Sequence, residues 1–342
     1  MYTGVRDKSV MQQRKVTALK IGATILVICC HCCHLDVIRS SYCQYSVLMS
    51  RILQNFGSLG VAVFFLLSGY SFGKTSKKTF VSFFQSRCVS LIIPWLFTST
   101  IVYLYTALRK NGINVTSMVL EIIGIGNYTW YLTALFLLYL VFWRNKNDKK
   151  AVLMITVICT IVSPFQNLLV RASLLGQCVY IFQFTWVALF GLGLYISQGE
   201  TLIPWGRSRF AGFIFLGGTT IIVMLLSVGR YQIYYWSYYY PLIAIPFACG
   251  LFAEKVCPKL NIWMDTAVGK FMCNSLLPIY LLHMPIAGIV ARIFNYLYYS
   301  PIILRPFLTA LMTLSLLWIG KVVSDKLHLS KVFCILTGFR GR

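Results

Sequence analysis

Residues 20–34 read Lys20-Ile-Gly-Ala-Thr-Ile-Leu-Val-Ile-Cys-Cys-His-Cys-Cys-His34. An apolar run of this kind behind a basic segment predicts a membrane-spanning helix. The lysine at its start and the histidine deep inside it need a separate account, because polar groups in lipid-facing sequence are costly. Lys20 and His31 lie eleven residues apart. At 100° per residue that is close to three full turns, so both project from nearly one face, separated by about 16 Å of rise.

Composition puts the whole chain in the same class. Of its 342 residues, 58% are hydrophobic and only 11% charged, and the mean hydropathy is +0.74. A soluble domain carries roughly a quarter charged residues, so the apolar excess here faces lipid. Apolar spans fall near 17–35, 57–73, 89–108, 128–143, 151–164, 176–198, 211–228, 238–253, 272–291 and 303–321. The predicted fold is therefore all-α, a polytopic membrane bundle of about ten transmembrane helices.

The formal charge of +23 would elsewhere suggest nucleic acid. Here its placement argues topology. Alternate loops, beginning with the N-terminal segment and ending with the C-terminal one, hold 23 of the 31 Lys and Arg residues, and the intervening loops hold eight. Positive charge collects on the cytoplasmic side, so both termini are expected there and no nucleic-acid partner is implied. Most of the twelve cysteines fall inside the spans, where Cys acts as a small apolar residue. Only Cys43 sits clearly in an outside loop, and no disulfide framework is indicated. The first span has no clean small-residue cleavage site after it and reads as a retained helix.

The chain divides into a cytoplasmic segment (1–16), a transmembrane domain (17–325) and a basic cytoplasmic tail (326–342). Residues 74–88 mix basic and aromatic residues at helical spacing. They read as an amphipathic segment on the cytoplasmic surface, with lipid anchoring and ligand binding both open. Pro94 follows early in the next span, where a kink is tolerated. The outside stretch Tyr231-Gln-Ile-Tyr-Tyr-Trp-Ser-Tyr-Tyr-Tyr240 fits an interfacial aromatic belt or a sugar-stacking surface. No Walker or Rossmann motif occurs, and Gly191-Leu-Gly193 is too short to count as one.

Lys20 can snorkel to head groups or hold an anion; His31 can bridge helices or serve as a general base. A metal site at His31-Cys-Cys-His34 is not expected, since four successive residues point around the whole helix. A second histidine, His283, lies in Asn274-Ser-Leu-Leu-Pro-Ile-Tyr-Leu-Leu-His-Met-Pro285, inside the ninth span. Two embedded histidines in one chain favour a functional pair, whereas His328 in the basic tail reads as a surface residue.

These features resemble the acyltransferase-3 membrane proteins, which O-acylate bacterial surface and exported glycans. Lys20 and His31 are similar to that family's basic residue, ten residues, then His. Phe64-Phe-Leu-Leu-Ser-Gly-Tyr70 resembles its Phe-Phe-x-Leu-Ser-Gly-aromatic element, and Arg87-Cys-Val-Ser-Leu-Ile-Ile-Pro94 its Arg-x-x-Arg-Leu-x-x-Pro opening. Trp130-Tyr-Leu132 and Ile279-Tyr-Leu-Leu-His-Met-Pro285 resemble its Trp-aromatic-Leu and late His motifs. The elements occur in the family's order from about 15 to 290. Thr17 stands where an acidic residue is common, Lys20 where Arg is common, and Ser90 where a second Arg is expected.

The resemblance implies a plasma-membrane (inner-membrane) multi-pass enzyme with a cytoplasmic acyl-CoA donor, acetyl-CoA being the commonest. Its acceptor would be a glycan or another hydroxyl compound. It implies donor binding by Lys20, Arg87, Lys77 and Lys78, catalysis by His31 with His283, and a cavity shaped by Ser68, Gly69, Tyr70, Trp130 and Tyr131. No metal is implied. A flippase for a lipid-linked sugar, with both histidines lining a polar path, and a structural envelope subunit are the rival readings.

Overall fold

The computed structural model describes residues 3–38, 44–75, 79–109, 112, 114–124, 128–170, 181–199, 209–233, 237–253, 258–296 and 304–340. Among these residues every regular element is helical. Two long helices come first, α1 (Thr3–Ile38) and α2 (Gln44–Gly73). Next, α3 (Phe80–Arg87) is capped by Thr79, whose hydroxyl accepts from the Ser82 amide at 3.3 Å. It runs through a π-helical turn (Cys88–Ile92) into α4 (Ile93–Arg109). Pro94 sits just past that turn and has no N–H for the carbonyl four residues back, a recognised cause of such breaks in the ladder.

The chain continues through α5 (Val115–Ile123), α6 (Trp130–Trp143), α7 (Lys149–Val170), α8 (Phe184–Ser197) and α9 (Arg209–Val228). It ends with α10 (Tyr240–Ala253), α11 (Pro258–Asp265), α12 (Ala267–Asn274), α13 (Leu276–Tyr296), α14 (Leu304–Lys326) and α15 (Ser330–Thr337).

The bundle is built around α2. It packs on α1 along one side and α8 along another, and 72% of its apolar window is buried, against 22% for α7 and α14. The close approaches are made by glycine. A Cβ on Gly69 would collide with the Phe190 carbonyl, and one on Gly193 with the Leu66 carbonyl, so α2 and α8 touch backbone to backbone. Small residues at crossings are the usual device where lipid removes the hydrophobic drive for helix association. Gly191-Leu-Gly193 is thus a packing seam. Aromatic rings fill the adjoining core, with Phe65 stacked on Trp186 at 4.7 Å. Helices α4, α7, α9 and α14 turn residues such as Ile101, Ile161, Phe213 and Leu316 outward, the pattern of a lipid-facing surface.

Among the described residues, six helices are long and apolar enough to cross a bilayer, or seven if the bent pair α10–α11 is one span. That is fewer than the ten crossings expected. The difference lies in α6 and α8, of 14 residues each, and in residues 212–228 of α9. Fourteen residues rise about 21 Å, short of a hydrocarbon core of about 30 Å. The chain is an integral, all-helical membrane protein.

The aromatic stretch 231–240 is tied down where it is described. Asn55 on α2 donates from Nδ2 to Ser227 Oγ (2.9 Å) and the Tyr231 carbonyl (3.0 Å), and its Oδ1 accepts from the Ile233 amide (2.8 Å). Tyr240 is fully buried and donates to the Ser58 carbonyl at 3.0 Å, whereas Tyr231 and Tyr238 are exposed. At the other end, residues read as a basic tail form α15, which packs on α4 and α14.

Candidate active site

Three basic side chains from distant parts of the sequence line one cavity of about 130 Å³: Lys20, Arg87 and Arg340. Each arrives by a different route. Lys20 lies on α1 opposite the end of α2, where its Nζ is 3.4 Å from Ser71 Oγ. Arg87 closes α3 immediately before the π-helical turn, its guanidinium over the rings of Phe83 (5.0 Å) and Tyr139 (5.2 Å). Its buried Nε has no hydrogen-bond partner. Arg340 follows α15, and its amide donates to the Asn274 carbonyl at 3.1 Å.

No carboxylate lines this cavity among the described residues. The sequence holds only eight acidic residues. Two of them are engaged elsewhere, Asp265 with Arg14 at 2.8 Å and Asp325 with Lys321. Clustered cations lacking a protein counter-charge make a strongly anion-attracting wall. By area Arg340 is exposed while protein atoms crowd its guanidinium. That crowding, and then the charge on Arg87, hold it below the usual arginine value.

Hydroxyls line the same cavity. Ser68 Oγ and Tyr131 OH are hydrogen-bonded at 3.0 Å, and Ser71, Tyr139, Tyr280 and Ser90 also face the cavity. Ser90, standing where a second arginine was expected, therefore shares its space with Arg340. Helical geometry explains which expected residues are present. Ser68 and Ser71 are three apart and share a face of α2, while Gly69 and Tyr70 point elsewhere. Gly69 meets α8, as described above, and Tyr70 packs on Phe252 with ring centroids 5.2 Å apart. Trp130 turns away from its neighbour Tyr131 and packs on Trp186 at 5.4 Å. These three do not line the cavity. Lys77 and Lys78 lie outside the described residues.

Neither histidine lines the cavity either. They form a pair of their own, with ring centroids 5.2 Å apart. Tyr280 connects the two parts, because it lines the cavity and also lies 5.7 Å from His283 and 5.5 Å from Tyr131. His283 is fully buried and its Nδ1 is 2.6 Å from the Tyr280 carbonyl. A carbonyl can only accept, so Nδ1 carries the proton and Nε2 of the neutral ring holds the lone pair. That Nε2 has no hydrogen-bond partner. His31 is half-buried and so the more accessible of the two. Among the described residues, no three His, Cys, Asp or Glu side chains group as a metal site would require.

A basic cavity beside a hydroxyl pair and an enclosed histidine pair follows the order of motifs read from the sequence. A family model, the acyltransferase domain Acyl_transf_3, matches residues 14–321. The chain belongs to the acyltransferase-3 family. No match was found among curated proteins or among solved structures. The acyltransferase domain accounts for Lys20, Arg87, Ser68, Tyr131 and both histidines, and Arg340 lies beyond it. The contributors missed in the sequence include Tyr139, whose ring lies against Arg87. Tyr280 was visible three residues before His283 and Ser71 three after Ser68, each one helical turn away; Arg340 had no local signal.

Proposed function

We propose that this membrane acyltransferase takes an acyl group, acetyl in the simplest case, from cytoplasmic acyl-CoA and passes it to a hydroxyl of an exported glycan at the plasma membrane. One observation carries this above the others: Lys20 and Arg87 line a single cavity with Ser68 and Tyr131, and Tyr280 links that cavity to the two histidines. The clustering of basic residues in alternate loops supports a cytoplasmic position for the cavity. Lys20 and Arg87 there hold donor phosphates, Arg as a fork and Lys as a point charge.

The pantetheine arm then runs toward the histidines past Tyr131 and Tyr280. His31, the more accessible imidazole, accepts the proton of the acceptor hydroxyl, whose oxygen attacks the thioester carbonyl. As the tetrahedral intermediate collapses, the C–S bond breaks and the imidazolium returns the proton to the CoA sulfur. The Ser68–Tyr131 hydroxyl pair supplies donors for the developing oxyanion. His283, its Nδ1 proton committed to the Tyr280 carbonyl, fixes the position of His31 beside it. Gly69 takes no part, since its face is occupied by α8.

Membranes bearing the full chain, given acyl-labelled acyl-CoA and exported glycan, should transfer label into the glycan. They should lose that transfer in His31→Ala at unchanged protein level. Label-free glycan with the wild-type protein would remove the glycan acceptor. Undiminished transfer by His31→Ala would remove His31 from its role. Membrane passage of a lipid-linked sugar without consumption of acyl-CoA would instead support a flippase.

A further inference from the structure

Arg340 reaches the cavity through contacts that belong to a segment outside the matched domain. Gly338 ends α15 in the left-handed region at φ +75°, a conformation that favours glycine. The turn reverses the chain toward α12 and α13. A Cβ at Gly338 would press on Leu277 at 2.6 Å and on Pro94 at 3.1 Å, so the turn is seated directly on α13 and α4. Phe339 is buried, its ring 5.3 Å from Phe271 and 6.0 Å from Phe333. The Arg340 amide completes the attachment at Asn274. Leu277, Pro94, Phe271, Phe333 and Asn274 thus hold this strap, and its last side chain is a guanidinium in a cavity that already contains Lys20 and Arg87.

We propose that the strap 338–340 is part of the donor site, with Arg340 as a third phosphate-binding residue supplied from outside the acyltransferase domain. This rests on the donor assignment made above. Three like charges in one cavity repel one another, and no carboxylate among the described residues of the wall offsets them, so a polyphosphate anion satisfies all three together. Lys20 presents a single ammonium and Arg87 is partly held by aromatic faces. Arg340 is exposed by area despite the protein atoms around it, and its guanidinium suits a bidentate phosphate contact. Burial by these atoms lowers its proton affinity first, and the charge on Arg87 adds to that.

The test uses the purified full chain in neutral-lipid nanodiscs and equilibrium binding of coenzyme A and of phosphate-free pantetheine. Arg340→Ala should weaken coenzyme A binding by about tenfold or more, the scale of one lost charge-assisted hydrogen bond. It should leave pantetheine binding and the melting temperature unchanged. Arg340→Lys should fall between the two. Phe339→Ala, which loosens the strap without touching its charge, should weaken coenzyme A in the same selective way. Unchanged coenzyme A affinity in Arg340→Ala, or equal loss for both ligands, overturns the proposal. Failure of the wild-type chain to bind coenzyme A would instead overturn the donor assignment beneath it. Should phosphatidylglycerol discs block coenzyme A binding, and Arg340→Ala relieve the block, the strap serves a lipid head group and the proposal fails.

Discussion

His31 and His283 face each other across the bundle with ring centroids 5.2 Å apart, one from α1 and one from α13. The relationship gives the two rings different duties. His283 is enclosed and fixed by its 2.6 Å contact to the Tyr280 carbonyl, whereas His31 keeps some exposure. His31→Ala should therefore lower kcat by about 10²–10⁴, the usual worth of a positioned base. His283→Asn keeps a donor for the Tyr280 carbonyl while deleting Nε2. It should retain the wild-type melting temperature yet lose most of the turnover, and initial-rate assays in proteoliposomes beside thermal melts separate the two effects. An active His283→Asn would reduce His283 to packing.

Lys20 belongs to the cationic part of the cavity and touches Ser71 rather than Ser68 or Tyr131, so its loss should act on donor binding. Lys20→Met preserves the length of the stem and removes the charge. The apparent KM for acyl-CoA should rise about 10- to 100-fold, with kcat changed by no more than about twofold. A large fall in kcat at unchanged KM would place Lys20 in the reacting centre.

The Ser68–Tyr131 hydroxyl pair can be tested at one atom. Tyr131→Phe keeps the ring contacts to Phe65 and Tyr280, at 4.7 and 5.5 Å, and removes only the hydroxyl. If that pair stabilises the oxyanion, kcat should fall about 10²-fold or more, the scale set by oxyanion-hole deletions. A change confined to thermal stability would leave the pair a structural one.

Much of this site could be read in the sequence because helical spacing carries direction. Lys20 lines the cavity and His31, eleven residues on, pairs with His283 outside it. The same periodicity, applied to Phe64–Tyr70, would have kept Ser68 and set aside Gly69 and Tyr70, whose faces meet α8 and Phe252. Hydropathy alone read about ten crossings; among the described residues α6 and α8 are as apolar as spanning helices but only 14 residues long, and much of their apolar surface packs within the bundle. Arg340 was beyond the reach of local pattern, since its place depends on α15 docking against helices hundreds of residues earlier.

Gly69 and Gly22 make a paired test of the packing. A Cβ at Gly69 collides with the Phe190 carbonyl, which is backbone and cannot rotate aside, whereas one at Gly22 meets nothing within 4 Å. Gly69→Ala should destabilise by about 1–3 kcal/mol through overpacking, seen as a lowered melting temperature in detergent. Gly22→Ala, in the interior of α1, should be neutral or stabilising by up to about 1 kcal/mol. Equal melting temperatures for the two variants would contradict the tight α2–α8 seam.

Asn55 offers the sharpest separation of structure from activity. Its side chain makes three hydrogen bonds, holding α9 and the start of the aromatic stretch 231–240 to α2. Asn55→Leu is similar in size and leaves the Ser227 hydroxyl, the Tyr231 carbonyl and the Ile233 amide to find other partners. Inside membrane proteins such bonds average about 0.6 kcal/mol each and reach about 1.7, so the loss should total about 2 kcal/mol or more. The aromatic stretch should then become more open to proteolysis and amide exchange. Lys20, Arg87 and Arg340 lie in a cavity that Asn55 does not line, so the KM for acyl-CoA of the folded fraction should stay at its wild-type value. A raised KM with an unaltered exchange pattern would show that the aromatic stretch communicates with the donor site, and would refute the division between them.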